Sequence, residues 1–420
     1  MRARFLSLIL FLFYSISGLA QAPESVPQLE ASARQALAIN DAAAALAAYE
    51  KLAQLVPSSA VYQDEIGFLL AATHRPGEAI PHFQNATQLD PNMAQAWYHL
   101  GVARWLAQEH EGAIKDLKHA VALAPNQGEY CFRLGSAYGD AGRPREAISE
   151  LTRASKLLPG NAALWESLGN YCQQEKRLVE ARNAYRRALL LDPDNNAVRN
   201  SYATVLVNSG DPAGGLAEFK KILVKDPGNY HVQVNVGYAY IGAGKYKEAI
   251  DELSRVTRTH PEAVDAHYDL GVAYKQTDDL AHAKAELEQT VKLDGSFAEA
   301  HYLLGLVCVD AGDTQKAIEQ FRGAVAQRPT YAIAWFELGT LLKQQGDSEG
   351  AIQALQKSVA LDPTDAGTFN TLGLLLRRKG DLAGSKQAFD KAAALRATEE
   401  TSKEKSLRQG TARASGDIRN

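Results

Sequence analysis

Cysteine is scarce in this chain of 420 residues: Cys131, Cys172 and Cys308 are too few for a disulfide framework. An odd count leaves one Cys131 to Cys172 bridge open in an oxidising compartment, beside the plainer reading of three buried thiols packed as small hydrophobes. Excess basic charge is missing as well. Lys and Arg total 45 against 49 Asp and Glu, a net charge of −4, which argues against nucleic acid as a partner because that needs a basic stripe. No Cys, His and carboxylate cluster has zinc spacing, no glycine-rich loop is set to cradle phosphate, and Ser136 and Ser167 have no assignable His and Asp partners. The sequence therefore implies no metal, no cofactor and no reaction.

What is present is a rhythm. Proline recurs every 34 residues at Pro57, Pro91, Pro125, Pro159, Pro193, Pro227 and Pro261, Gly295 takes the next place, and Pro329 and Pro363 follow. Ten residues after each stands Gly67, Gly101, Gly135, Gly169, Ala203, Gly237, Gly271, Gly305, Gly339 or Gly373. A second small series follows, Ala79, Ala113, Ala147, Ala181, Gly215, Ala249, Ala283, Ala317, Ala351 and Ser385. Four residues beyond each of these comes a large apolar side chain, from Phe83 and Leu117 through Phe219 and Phe321 to Phe389. Small opposed to large at a fixed interval is how two helices approach closely and still fill their seam. One helical hairpin stacked along most of the chain accounts for the period.

The heads of these units read Trp97-Tyr98-His99-Leu100-Gly101, Trp165-Glu166-Ser167-Leu168-Gly169 and Trp335-Phe336-Glu337-Leu338-Gly339, with Tyr138, Tyr240 and Tyr274 in the later aromatic position. This pattern resembles the tetratricopeptide repeat family. The resemblance covers 11 repeats over residues 26–399, starting at 26, 60, 94, 128, 162, 196, 230, 264, 298, 332 and 366. Positions within each are numbered here as slots 1 to 34. The first repeat is degenerate, with Ser32 for the leucine and Ala33 for the glycine, and is similar to a cap. The resemblance implies an all-α fold, an α-solenoid wound as a right-handed superhelix. Helices of about 12 to 14 residues are marginal alone, so stacking must hold each repeat.

Local signals agree with two helices per repeat. Gly142, Gly210, Gly244, Gly312, Gly346 and Gly380 share slot 15, where a left-handed residue ends the first helix. Pro76, Pro144 and Pro212 stand at the start of the second helix, where a missing N–H costs little. Asn92, Asp194, Asn195, Asn229, Thr330 and Asp365 are candidate caps for the following repeat. His267 and His301 share slot 4 with Trp97, Trp165 and Trp335, so packing explains them without a metal.

The ends depart from the rhythm. Arg2 and Arg4, the apolar run Phe5 to Tyr14 and the small residues Gly18, Ala20 and Ala22 have the layout of a secretory signal, so residues 1–20 are expected to be cleaved, leaving 21–25 as a short linker. The run is too short to cross a bilayer comfortably, and an exported chain, periplasmic or secreted, is expected without a membrane span in its mature form. Residues 400–420 are polar, with Leu407 and Ile418 the only large apolar residues, and read as a disordered solvated tail.

In the family the first helices line the concave groove through slots 2, 5, 6, 9, 12 and 13. Carried over by the resemblance, these slots hold Phe68, Tyr98, Trp105, Phe132, Tyr238, Tyr268, Tyr302 and Phe336 toward the ends, and Asn170, Gln173, Asn200 and Asn235 at the centre. The carboxylate clamp of chaperone-adaptor arrays has no counterpart in three consecutive repeats, and the asparagine ladder of glycosyltransferase arrays keeps only Asn235. Amides pair with peptide groups and aromatic pockets hold side chains, so the expected partner is another protein, bound as an extended segment in an envelope or secretion assembly. Aromatics with amides also suit sugar rings, which leaves a carbohydrate-binding accessory in polysaccharide export or cell-wall metabolism as the alternative. Carboxylates in these slots, among them Asp265, Asp269 and Glu299, favour a neutral or basic segment.

Overall fold

The computed structural model of the chain describes residues 24–398; the expected leader and polar tail lie outside the described residues. The described residues form two compact bodies, one up to Asp194 and the other from Asn195 onward, divided in the connection between two helical hairpins. The first body holds α1 (Val26–Ala38), α2 (Ala42–Leu55), α3 (Ala60–Ala72), α4 (Pro76–Leu89), α5 (Ala94–Leu106), α6 (His110–Leu123), α7 (Gly128–Asp140), α8 (Pro144–Leu157), α9 (Ala162–Gln174) and α10 (Leu178–Leu191). The second holds α11 (Asn196–Asn208), α12 (Pro212–Lys225), α13 (Tyr230–Gly242), α14 (Tyr246–Thr259), α15 (Val264–Gln276), α16 (Leu280–Leu293), α17 (Ala298–Asp310), α18 (Thr314–Gln327), α19 (Ala332–Gln344), α20 (Ser348–Leu361) and α21 (Ala366–Lys379), with a further helix at 382–398. Each body is an all-α solenoid of stacked hairpins. Within each body the helices from α1 to α10 and from α11 to α21 pack on their neighbours in sequence, and successive first helices also touch, α3 to α5 to α7 to α9 in one body and α11 to α13 to α15 to α17 in the other.

The two small series set how closely the hairpin helices approach. An added methyl at Gly101 would fall 2.6 Å from Leu117, at Gly169 2.6 Å from the Tyr185 ring, and at Gly305 2.6 Å from the Phe321 ring. Those large partners are at most 1 % exposed, and each buried side chain contributes roughly 1.5–3 kcal/mol of transfer free energy. The sixth repeat exchanges the small pair: Ala203 replaces the glycine, and Gly215 opposite it leaves the space, since a methyl there would meet the Ala203 carbonyl at 2.8 Å. Phe219 remains fully buried across that exchanged seam.

Helix ends follow the expected chemistry and extend it. All six slot-15 glycines have φ between 69° and 88°, and the same slot in the other five repeats carries Asn40, His74, Gln108, Lys176 and Asp278 at φ of 56° to 62°. The left-handed turn is thus a property of every repeat, and five side chains bear its steric cost. Asn161, Asn195 and Asn229 accept from the N–H groups of Leu164, Val198 and Val232 at 3.0, 3.0 and 3.2 Å. Asp365 caps α21 in the same way. Asn92 and Thr330 do not cap: Met93 and Tyr331 occupy the positions before α5 and α19, and neither supplies a side-chain acceptor.

Candidate functional site

A cavity of about 630 Å³ opens in the second body, lined by first helices and the loops that precede them. Thr204 and Asn208 come from α11, Tyr230, His231, Val234, Asn235 and Tyr238 from α13, and Asp265, Tyr268 and Asp269 from α15, with Glu262 and Phe297 at the loops. The 34-residue period puts equivalent slots of three consecutive repeats side by side, which is why residues so far apart in sequence share one wall.

Polar groups fix part of this wall. Asn235 Nδ2 donates to Asn200 Oδ1 at 2.9 Å, and the Tyr238 hydroxyl donates to Asn208 Oδ1 at 2.6 Å. Tyr268 packs on Phe297 with ring centroids 4.8 Å apart. Asp265 and Asp269 have no hydrogen-bond or ion-pair partner among the described residues. Burial, reinforced by the Asp265 charge, pushes the Asp269 carboxyl up to about 7, and burial with the neighbouring Asp269 charge pushes the Tyr268 phenol up to about 12.

Slot 4 has a different duty. Trp97, Trp165 and Trp335 each donate their indole N–H to the carbonyl of Pro91, Pro159 or Pro329, at 2.9, 3.0 and 2.9 Å. Gln233 does the same to Pro227 at 2.9 Å, while His267 and His301 reach Pro261 and Gly295 through Nε2 at 3.1 and 3.2 Å. The slot ties each first helix to the loop six residues before it, and the two histidines take no metal-binding arrangement. Among the described residues no group of three His, Cys, Asp or Glu side chains is placed to hold a metal ion. Cys131, Cys172 and Cys308 are all free and buried, so the Cys131 to Cys172 bridge is not formed. Burial pushes the Cys172 thiol up to about 11.

Sequence patterns for tetratricopeptide repeats match residues 67–128, 128–161, 240–307 and 309–366, and the pattern described as "Cytochrome c-type biogenesis protein H TPR domain" matches residues 151–268. The chain belongs to the tetratricopeptide repeat family. No curated protein matches it. Similar solved structures include MamA 41-end from Desulfovibrio magneticus RS-1, at 25 % identity over 40 % of this chain and 96 % of that one, with a TM-score of 0.37. YrrB, described as a TPR protein with an unusual peptide-binding site, is 18 % identical over 44 % of this chain and 95 % of its own, with a TM-score of 0.41. A human IFIT1 dimer with PPP-AAAA is 16 % identical over 81 % of this chain and 91 % of its own, with a TM-score of 0.43.

Within this tetratricopeptide array the expected groove residues are not alike. Phe68 is 48 % exposed, whereas Phe132 is only 9 % exposed and has little surface to offer a ligand. Tyr98 stacks on Tyr130 at 4.4 Å, and Trp105 donates its indole N–H to Asp140 at 2.6 Å. Asn170 and Gln173 hold the Tyr185 hydroxyl at 2.7 and 2.9 Å, so both amides are engaged with their own hairpin. Asn200, Asn235, Tyr238 and Tyr268 gather around the cavity or its wall. Tyr302 and Phe336 are partly buried, and Tyr302 packs against Tyr331 at 5.1 Å and Phe321 at 5.8 Å. Of the slot-5 tyrosines, Tyr268 and Tyr302 each meet the aromatic residue just before the next repeat, Phe297 or Tyr331.

Sequence reasoning overlooked Phe297, Tyr331, Tyr130 and Tyr230. The signal was available for two of them, since Phe297 and Tyr331 stand where capping Asn or Asp is usual. An aromatic residue there gives up a cap and gains a ring contact with slot 5 of its own repeat.

Proposed function

We propose that the chain is a non-enzymatic scaffold that binds an extended segment of another protein along the face formed by its first helices. Tetratricopeptide folds are typical of protein–protein interaction scaffolds, and the observation that carries the reading here is the 630 Å³ cavity with its mixed lining of rings, amides and carboxylates. Amide side chains serve peptide N–H and C=O groups, and partly exposed rings supply anchors worth about 1–2 kcal/mol each. The arginine and apolar layout at the N-terminus supports export to the periplasm or outside the cell, and so a partner in an envelope or secretion assembly.

Immobilised full chain incubated with envelope extract should retain a defined protein, and Tyr268→Ala should release it without loss of helical circular dichroism. Enrichment of glycans on an array, with no protein retained, would replace this reading by the carbohydrate one.

A further inference from the structure

The cavity between α11, α13 and α15 carries a charge pattern that narrows what enters it. Three carboxylates line it, Glu262, Asp265 and Asp269, and no Lys or Arg does. Glu262 lies 3.3 Å from His260, but Asp265 and Asp269, one turn apart on α15, have no partner among the described residues. Elsewhere charged side chains in this body are commonly paired, as in Lys275 with Asp310 at 2.9 Å and Arg199 with Glu218 at 2.7 Å. Two adjacent carboxylates without a counter-charge raise the free energy of the empty array, and a cation placed between them relieves it.

The rings complete the chemistry. Tyr230, Tyr238, Tyr268 and Phe297 line the same space, and a cation over an aromatic face gains roughly 0.5–2 kcal/mol beyond its ion pair. An anionic group would meet three like charges, and a neutral apolar one would leave the two aspartates unpaired.

We infer that this cavity is a subsite for one basic side chain, Lys or Arg, of the bound polypeptide segment, with Asp265 and Asp269 as its counter-charges and Tyr238, Tyr268 and Phe297 around its aliphatic stem. The inference rests on the proposed polypeptide-binding reading and specifies one anchor within it. Asn235, bonded to Asn200, and Asn208, bonded to Tyr238, line the same space and keep amide groups for the peptide backbone on either side.

A positional-scanning library of random decapeptides, passed over immobilised full chain, separates the two claims. The expected result is retention with Lys or Arg selected at one position, and loss of that selection by about tenfold in Asp269→Asn, with circular dichroism unchanged. Tyr268→Leu, which keeps bulk but removes the ring, should weaken the same position several-fold. Retention of peptides without preference for a basic residue, or a basic preference equally strong in Asp269→Asn and Asp265→Asn, overturns the subsite and leaves the groove reading intact. No retention of any peptide overturns the groove reading and the subsite together.

Discussion

Replacing Gly305 by Ala inserts a methyl 2.6 Å from the Phe321 ring, about 1 Å inside the usual carbon–carbon contact distance. Overpacking of this kind costs about 1–3 kcal/mol, while exchanging a helical glycine for alanine returns about 1 kcal/mol, so a net loss of about 1–2 kcal/mol is expected. Ala317→Gly alone should lose about 1–2 kcal/mol from helix propensity and the vacated methyl. The double variant should cost far less than the sum, because it rebuilds the seam of the sixth repeat. There Ala203, Val207, Gly215 and Phe219 occupy the slots that Gly305, Val309, Ala317 and Phe321 fill in the ninth, and Phe219 is fully buried. A coupling of about 2 kcal/mol is expected. Guanidinium unfolding followed by circular dichroism supplies the midpoints, and native-state hydrogen exchange on α17 and α18 localises the change, since a repeat array need not unfold in one step. Additive effects of the two substitutions would refute the claim that the small pair acts as one unit.

Other outcomes follow from single side chains. Lys176→Gly relieves a left-handed residue at φ 58° and should raise stability by about 0.5–1 kcal/mol in denaturant titration, whereas Lys176→Ala should not. The hydrogen bond to Glu286 raises the His267 pKa above its ordinary value, so this histidine contributes stability that is complete below about pH 6.5 and fades as pH rises through the raised value. His267→Gln, which copies Gln233, should keep the bond to Pro261 and flatten that part of the pH profile. Asp269, pushed up to about 7, behaves in the same direction: its protonated form favours folding near pH 4 and that contribution is gone above pH 8. Asp269→Asn should therefore be more stable than the parent at pH 8 by about 1–3 kcal/mol and equal to it near pH 4, as read by unfolding midpoints. The three thiols should resist iodoacetamide at pH 8 in the native array and react once guanidinium unfolds it.

The frame was legible because its cause is periodic. Proline, two small series and a large apolar series at one fixed interval leave few arrangements other than stacked hairpins, and the seam contacts at Gly101, Gly169 and Gly305 are the ones that spacing implies. The universal left-handed turn was half visible: six glycines announce it, while Lys176 and Gln108 do not, because a strained backbone leaves no mark on a side chain that tolerates it. The free thiols correct the one covalent option that composition left open.

The lining was harder to read because a slot number gives direction without neighbours. Tyr268 and Tyr302 share slot 5, yet their ring partners are Phe297 and Tyr331, each from the short connection ahead of the next repeat. Likewise Asn170 and Asn235 both looked like free amides, but one braces Tyr185 of its own hairpin and the other reaches Asn200 of the repeat before it. What distinguishes a ligand-ready group from a structural one is whether a partner is already in place, and pairing depends on the neighbouring repeat's sequence. By that criterion Asp265 and Asp269 stand apart, since the cavity wall supplies rings and amides around them but no Lys or Arg. A lysine introduced on α13, as Val234→Lys, should occupy the cavity from within, pair with Asp269 and compete with a basic peptide. Unchanged peptide retention in that variant, with its helical content intact, would show that the two aspartates are not what the peptide meets.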